Sequence, residues 1–315
     1  MALPSNAFST FDAKGNREDL SDVIYMITPT DTPFLSGIPR TKATATLHEW
    51  QTDVLAAAAA NAVIEGDDAT TDATTATVRL SNTAQISDKV PRVSGTQEAI
   101  NKAGRKSEMS YQVAKRAQEL KRDMETILLA STAEAAGDVS TARKLGSINA
   151  WTTTNISIGA GGSAAGTALA GNTKRTDGTK RAFTEDLLKA ALKLCWDNGG
   201  DPECIMLGSF NKQTASGFTG NATRFKGAED KSLQAAIDIY DSDFGELQII
   251  PNRFQRARDV HILQKDMWGV AYLRPFQLWD LAKTGDTERK QLLVEFTLEA
   301  RNEKASGAVY DTLTE

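Results

Sequence analysis

The most regular pattern along the chain lies between residues 94 and 132, where Met109, Val113, Ala117, Leu120, Met124 and Ile127 recur at three- and four-residue spacing. That period puts them on one stripe of an α-helix. Ser94 and Gln97 stand at capping-box spacing to open it, and Lys115 with Glu119 and Lys121 with Glu125 form i,i+4 pairs on its other faces. From Gln97 to Ser131 such a helix runs roughly 50 Å at ~1.5 Å per residue, a spine rather than an ordinary core helix. Upstream the period drops to two. TKATATLHEWQTDV, 41–54, sets Ala43, Ala45 and Leu47 on one side and His48, Trp50, Thr52 and Val54 on the other, and TVRLSNTAQI, 77–86, is equally strand-like. The stretch between them is small and polar with a Gly-Asp-Asp bend at 66–68, so the whole reads as a long hairpin. Its first arm alone reaches roughly 45 Å at ~3.3 Å per residue. A two-stranded ribbon of that length is marginal in water and needs a surface to lie against.

Other elements follow from the same patterns. Leu20, Ile24 and Ile27 have helical spacing, and Pro29 and Pro33 then bar continuation. YMITPTDTPFLSGI, 25–38, is therefore expected to be a stiff, extended connector with an apolar side of Tyr25, Met26, Phe34, Leu35 and Ile38. SIGAGGSAAGTALAGNTKRTDGTKR, 157–181, has no periodicity and reads as an inserted surface loop. Thr184 caps the helical EDLLKAALKLCWD, which Gly199 and Gly200 end; ECIMLG is a buried strand, and a further helix starts at Ser209. That is a small α/β unit. The last third is strand-rich: ELQIIP, DVHILQ, WGVAYL, QLLVEFTLEA and GAVYDTL, with Val294, Phe296 and Leu298 alternating.

Composition adds limits. With 315 residues and 40% hydrophobic content the chain can bury two or three cores. Its net charge of -5 gives no general attraction to nucleic acid or anionic lipid, and no run has the apolar length of a membrane span. Cys195 and Cys204 suit two reduced core thiols better than a disulfide framework. Candidate chemistry is thin. GGSAAGTA, 161–168, has phosphate-loop glycine spacing but Thr167 where the lysine belongs, and Gly159 and Gly161 lack a third glycine at Ala164. His48 and His261 are too few and too far apart for a transition-metal motif, no nucleophile elbow is present, and EGDD at 65–68 lacks the ligand pattern of a calcium loop. The reading is a protein without an active site, metal or cofactor.

The order of parts, an extended arm, a long hairpin, a spine helix, an α/β unit and closing strands, resembles the major capsid proteins of tailed bacteriophages, an α+β architecture of the Hong Kong 97 type. ITPTDTPF (27–34), YDSDFGELQIIPNRF (240–254) and LAKTGDTERKQLLVEFTLEARNEKASGAVYDTL (281–313) are similar to one branch of that family. The resemblance implies an N-terminal arm at 1–40, packed through Tyr25, Pro29, Pro33 and Phe34, and an E-loop hairpin at 41–93. It further implies a peripheral domain from the spine at 94–156 and the closing strands at 251–315, an inserted loop at 157–181 and an axial domain at 182–250. It implies a subunit that assembles with itself as pentamers and hexamers into the icosahedral head around double-stranded DNA, held without sequence-specific contact. Separate scaffolding and portal proteins are the implied partners, with a decoration or cement protein where one exists. The place is the virion, after assembly in the host cytoplasm. The shell of a cellular nanocompartment with the same fold stays open as an alternative.

Charge is segregated by element. From Ala43 to Asp88 the acids are Glu49, Asp53, Glu65, Asp67, Asp68, Asp72 and Asp88 against Arg79 alone. From Lys102 to Arg122 the bases Lys102, Arg105, Lys106, Lys115, Arg116, Lys121 and Arg122 face Glu108 and Glu119. The expected contact between subunits is therefore the hairpin's Glu65, Asp67, Asp68 and Asp72 against Lys102, Arg105, Lys106, Lys115 and Arg116 of a neighbour's spine, or Arg253, Arg256 and Arg258 beside it. A covalent substitute is not expected. Isopeptide cross-linking, known in the founding member of the family, needs a lysine on the hairpin, and none lies between Lys42 and Lys89 at its base. Particles boiled in SDS should run as monomers; a ladder of high-mass bands would contradict this.

Overall fold

Proline, glycine and serine positions set most of the element boundaries. The computed structural model describes residues 28–68, 73–102, 104–166, 171–218 and 238–315. In chain order the elements are α1 (Pro33–Gly37), β1 (Arg40–Lys42), β2 (Leu47–Thr52), β3 (Val78–Thr83), β4 (Gln85–Lys89), β5 (Arg92–Ser94), α2 (Gly95–Ala99), α3 (Glu108–Leu128), α4 (Ile148–Trp151) and β6 (Ile156–Ser157). They continue as α5 (Glu185–Asp197), β7 (Cys204–Leu207), α6 (Ser209–Ser216), β8 (Ile239–Ser242), β9 (Gly245–Pro251), β10 (Asp259–Leu263), β11 (Trp268–Asp280), β12 (Thr287–Ala300) and β13 (Gly307–Tyr310). Helices and mixed sheets together make an α+β chain.

Two sheets organise the molecule. The first runs β1-β11-β12-β4, with β5 also on β12, and the second runs β6-β13-β10-β7-β9-β8. In the first, β12 sets Leu298 opposite Val270 of β11 and Val294 opposite Ser87 of β4. Its inward residues Val294, Phe296 and Leu298 pack with Trp268, Trp151 and the spine residues Leu120, Met124 and Leu128. The expected 3.6-residue stripe and two-residue alternation thus meet in one core. A second core joins Leu188, Ala191 and Leu192 of α5 to Ile205, Leu207, Ile249, Val260, Ile262 and Val309. The closing strands divide: β11 and β12 belong to the first sheet, β10 and β13 to the second. Strand β7 serves both cores, with Cys204 and Met206 toward the first and Ile205 and Leu207 toward the second. Neither cysteine forms a disulfide, and burial pushes both thiols up to about 12.

Five expectations need correction. Pro33 does not prolong an extended connector; it takes the first position of α1, where its missing N–H costs nothing, and Phe34, Leu35 and Ile38 are buried on their own chain. Tyr25, Met26 and the helical spacing over 17–27 lie outside the described residues. The spine is also broken. Ser94 Oγ does accept from Gln97 N (3.3 Å), but α2 is short; Gly104 follows in the left-handed region (φ 74), and Ser107 opens α3 with its own cap from Ser110 N at 3.2 Å. At 21 residues α3 spans about 31 Å. The expected Lys115–Glu119 and Lys121–Glu125 pairs do not form; Arg116 takes Glu119 (2.5 Å), and Glu125 is buried.

Among the described residues the hairpin's two arms pair between Leu47–Thr52 and Val78–Thr83. Beyond Ala84 the returning arm crosses to the first sheet as β4, and Lys89 Nζ there meets Asp123 at 2.6 Å. Finally, the 157–181 segment is not a loose surface loop. Strand β6 joins the edge of the second sheet on β13, Ser163 bridges Thr176, and the Arg175 side chain is fully buried.

Candidate interaction surfaces

Among the described residues no group of His, Cys, Asp and Glu is arranged to hold a metal ion, and no helix is long and apolar enough to cross a membrane. His261 sits fully buried in β10, where burial lowers its pKa to about 3, so it stays neutral. What the chain offers instead is surface, beginning with the hairpin.

Its base is tied down. Trp50 Nε1 donates to Ala300 O at 2.9 Å, and its ring lies 5.4 Å from that of Trp151. Asn82 is buried and uses its whole amide: Nδ2 donates to Leu298 O (2.8 Å) and Gly146 O (3.0 Å), and Oδ1 accepts from Gly146 N (2.8 Å). Glu299 accepts from Thr41 Oγ1 at 2.8 Å and lies 3.6 Å from His48 Nε2 and 3.3 Å from Arg301 Nε. Burial alone would raise the Glu299 pKa, but the nearby His48 imidazole, the hydrogen bond from Thr41 and the nearby Arg301 charge outweigh it and hold the carboxyl at about 2.

The tip has no such support. Every described residue from Asp53 to Asp68 and from Ala73 to Val78 is exposed, Leu55 at 98% and Ile64 at 80%. Glu65, Asp67 and Asp68 sit among them, and Asp72 lies outside the described residues. The tip is therefore apolar as well as acidic, through Val54, Leu55, Val63 and Ile64. The stretch expected to be small and polar thus carries an exposed apolar pair, Val63 and Ile64, directly before its acidic turn.

The expected basic partners separate into two groups. Lys102 folds back on Glu98, 2.9 Å from its carbonyl, Arg105 pairs with Glu108 and lies 4.9 Å over the Tyr111 ring, and Arg116 holds Glu119. Arg256 and Arg258 turn inward onto Asp177, Asp259 and Asp311. Lys106 and Arg253 are exposed and Lys115 half-buried, none with an ion pair among the described residues. The N-terminal segment packs through Glu125, the carboxylate expected to pair with Lys121. Glu125 accepts from Phe34 N (2.9 Å), Leu35 N (2.8 Å) and Asn252 Nδ2 (2.6 Å), so it caps α1. Pro29 and Pro33 are half-buried. Two further exposed apolar groups went unread: Phe276, Leu278 and Trp279 on β11 past the end of β1, and Trp196 stacked on Phe244 at 5.4 Å.

Residues 4–313 match the family described as SU10 major capsid protein. The major capsid protein of Escherichia phage Phieco32 is 27% identical over 352 aligned positions that cover 98% of each chain. Among solved structures, the capsid asymmetric unit of cyanophage A-1(L) superposes with a TM-score of 0.67 at 14% identity, covering 98% of this chain and 99% of that one. The capsid of a native GTA particle superposes with a TM-score of 0.63 at 12% identity, covering 96% and 98%. Identity that low speaks for the fold, and the fold is the Hong Kong 97 type.

The Glu299 site at the hairpin base predicts a pH dependence. Its folded pKa lies below the unfolded value of 4.5, so its stabilisation is present above that value and is lost as pH falls toward about 2. Glu299→Gln should lower stability at pH 7 by about 1 kcal/mol, its partial exposure allowed for, and the gap to wild type should close in acid. A gap that stays constant from pH 7 to pH 3 in thermal melts would contradict the assignment.

Proposed function

We propose that this chain, which belongs to the SU10 major capsid protein family, uses the hairpin tip as the main contact by which one copy grips the next. As a phage major capsid protein it forms the icosahedral shell of the virion by assembling with itself. The family is one of structural capsid proteins. In our reading the subunits gather as pentamers and hexamers around the double-stranded genome. The first sheet with α3 forms the peripheral domain, the second sheet the axial domain, β2–β3 with its tip the E-loop, and the segment up to α1 the N-terminal arm. Scaffolding, portal and decoration proteins would be the other partners.

The observation that carries the proposal is the exposed tip. A segment with Leu55 at 98% exposure and Ile64 at 80% gains nothing from the free subunit, yet burying such side chains stabilises by ~1.5–3 kcal/mol each. A second copy supplies that burial. Charge then orients the contact: Glu65, Asp67, Asp68 and Asp72 toward Lys106, Lys115 and Arg253 of the neighbour, because these cations hold no ion pair within the described chain, unlike Arg256 and Arg258. Each exposed pair contributes only ~0–1 kcal/mol, but the contact repeats at every subunit.

Electron microscopy of the purified or co-expressed protein should show closed shells, capsomers or tubes, and a folded, strictly monomeric protein would contradict the reading. The charge component is tested by combining Glu65→Gln, Asp67→Asn, Asp68→Asn and Asp72→Asn. Surface pairs are screened beyond roughly 8–10 Å at physiological salt, so the variant should assemble less than wild type at low salt and match it at high salt. Equal yields with the same salt response would remove the charge contribution and leave the apolar one.

A further inference from the structure

A buried charge cluster joins four segments that are distant in sequence. Arg175, between β6 and α5, has no exposed side-chain surface; its guanidinium lies 2.7 Å from Asp311, 2.6 Å from Asp177 and 3.6 Å from Asp259, and 4.2 Å over the Tyr310 ring. Arg256 reaches Asp177 (2.6 Å) and Asp259 (3.2 Å), and Arg258 reaches Asp311 (2.8 Å) and Asp177 (3.2 Å). Three arginines thus meet three aspartates, and the balance of charge is what lets Arg175, Asp259 and Asp311 stay buried behind the exposed Asp177. Asn149 of α4 adds a hydrogen bond to Asp259 at 2.7 Å.

The location matters more than the charges. Asp259 begins β10 and Asp311 follows β13, both in the second sheet, whereas Ile148 and Trp151 of α4 are packed in the first core. The segment between β9 and β10 is also fastened to the spine, by Asn252 on Glu125 at 2.6 Å and by Arg122 lying 5.2 Å over the Phe254 ring. At its opposite end β10 puts Leu263 into the first core beside Cys204 and Met206. The second sheet therefore reaches the first core through the apolar Cys204, Met206 and Leu263 at one end and, at the Asp259 end, through the charge-assisted hydrogen bond from Asn149 of α4. Apolar contact is non-directional and permits sliding, whereas charge-assisted hydrogen bonds set distance and angle.

We propose that Arg175 is a positioning residue: by holding Asp259, the acceptor of Asn149 in α4, it fixes the tilt of the second sheet against the first core, and through that tilt the curvature of the shell. This rests on the shell-forming reading above, and it gives the 157–181 segment a role, that of carrying the clamp. The test separates position from stability. Arg175→Met should lower the melting temperature and yield particles of mixed diameter or tubes. Arg175→Met leaves three carboxylates against two arginines; adding Asp311→Asn, at a position (φ 61) that asparagine tolerates, restores the balance of two against two and should recover part of the melting temperature but not the uniform diameter. Uniform, wild-type diameters for both variants by electron microscopy would overturn the proposal, as would a double variant that restores diameter together with stability. If Arg175→Met does not fold, the double variant and Asp177→Asn decide the matter by the same diameter measurement. Failure of the wild-type protein to form any shell under those conditions would count against the shell reading and not against Arg175.

Discussion

The strand from Thr287 to Ala300 is the member on which the rest of this molecule depends. It pairs with β11 along one side and with β4 and β5 along the other, and from Leu292 to Ala300 it is buried throughout. Its apolar side chains receive the spine, and its backbone carbonyls receive the hairpin, through Asn82 on Leu298 and Trp50 on Ala300. A strand hydrogen-bonded on both edges and covered by a helix is the stiffest part of a small domain. The direction in which the hairpin leaves the body is therefore set by β12, while its tip is left without an internal partner.

That contrast links packing to function. A free subunit holds one well-supported end of the hairpin and one exposed end whose described apolar side chains it does not itself cover. The N-terminal segment follows the same principle on a smaller scale: Glu125 caps α1 and so docks residues around Phe34 on the spine. Burial raises the Glu125 pKa, against the hydrogen bonds from Leu35, Phe34 and Asn252 that lower it, so the capping carboxylate works in a site with little solvent to share the charge.

Much of this was legible in the sequence because it rests on short-range periodicity. The stripe from Met109 to Ile127 and the alternation of Val294, Phe296 and Leu298 lead directly to the first core. The break in the spine escaped because the apolar stripe spoke louder than two local signals, Gly104 and the second cap at Ser107. Which sheet each closing strand joins is decided by long-range pairing, and alternation is the same for β10 and β12. The buried role of Arg175 lay beyond reach, since its carboxylate partners Asp259 and Asp311 are more than eighty residues away. Arg256 and Arg258 misled for the same reason: a cluster of like charge in sequence turned out to be neutralised in space.

Hydrogen exchange of the free subunit and of the assembled particle tests the central claim most directly, that the hairpin tip is completed by a neighbour. Amides at 53–68 and 73–77 should exchange freely in the subunit and become protected in the particle, while those of β11 and β12 stay protected in both. A tip already protected in the free subunit, or one still exchanging freely inside the particle, would contradict the account.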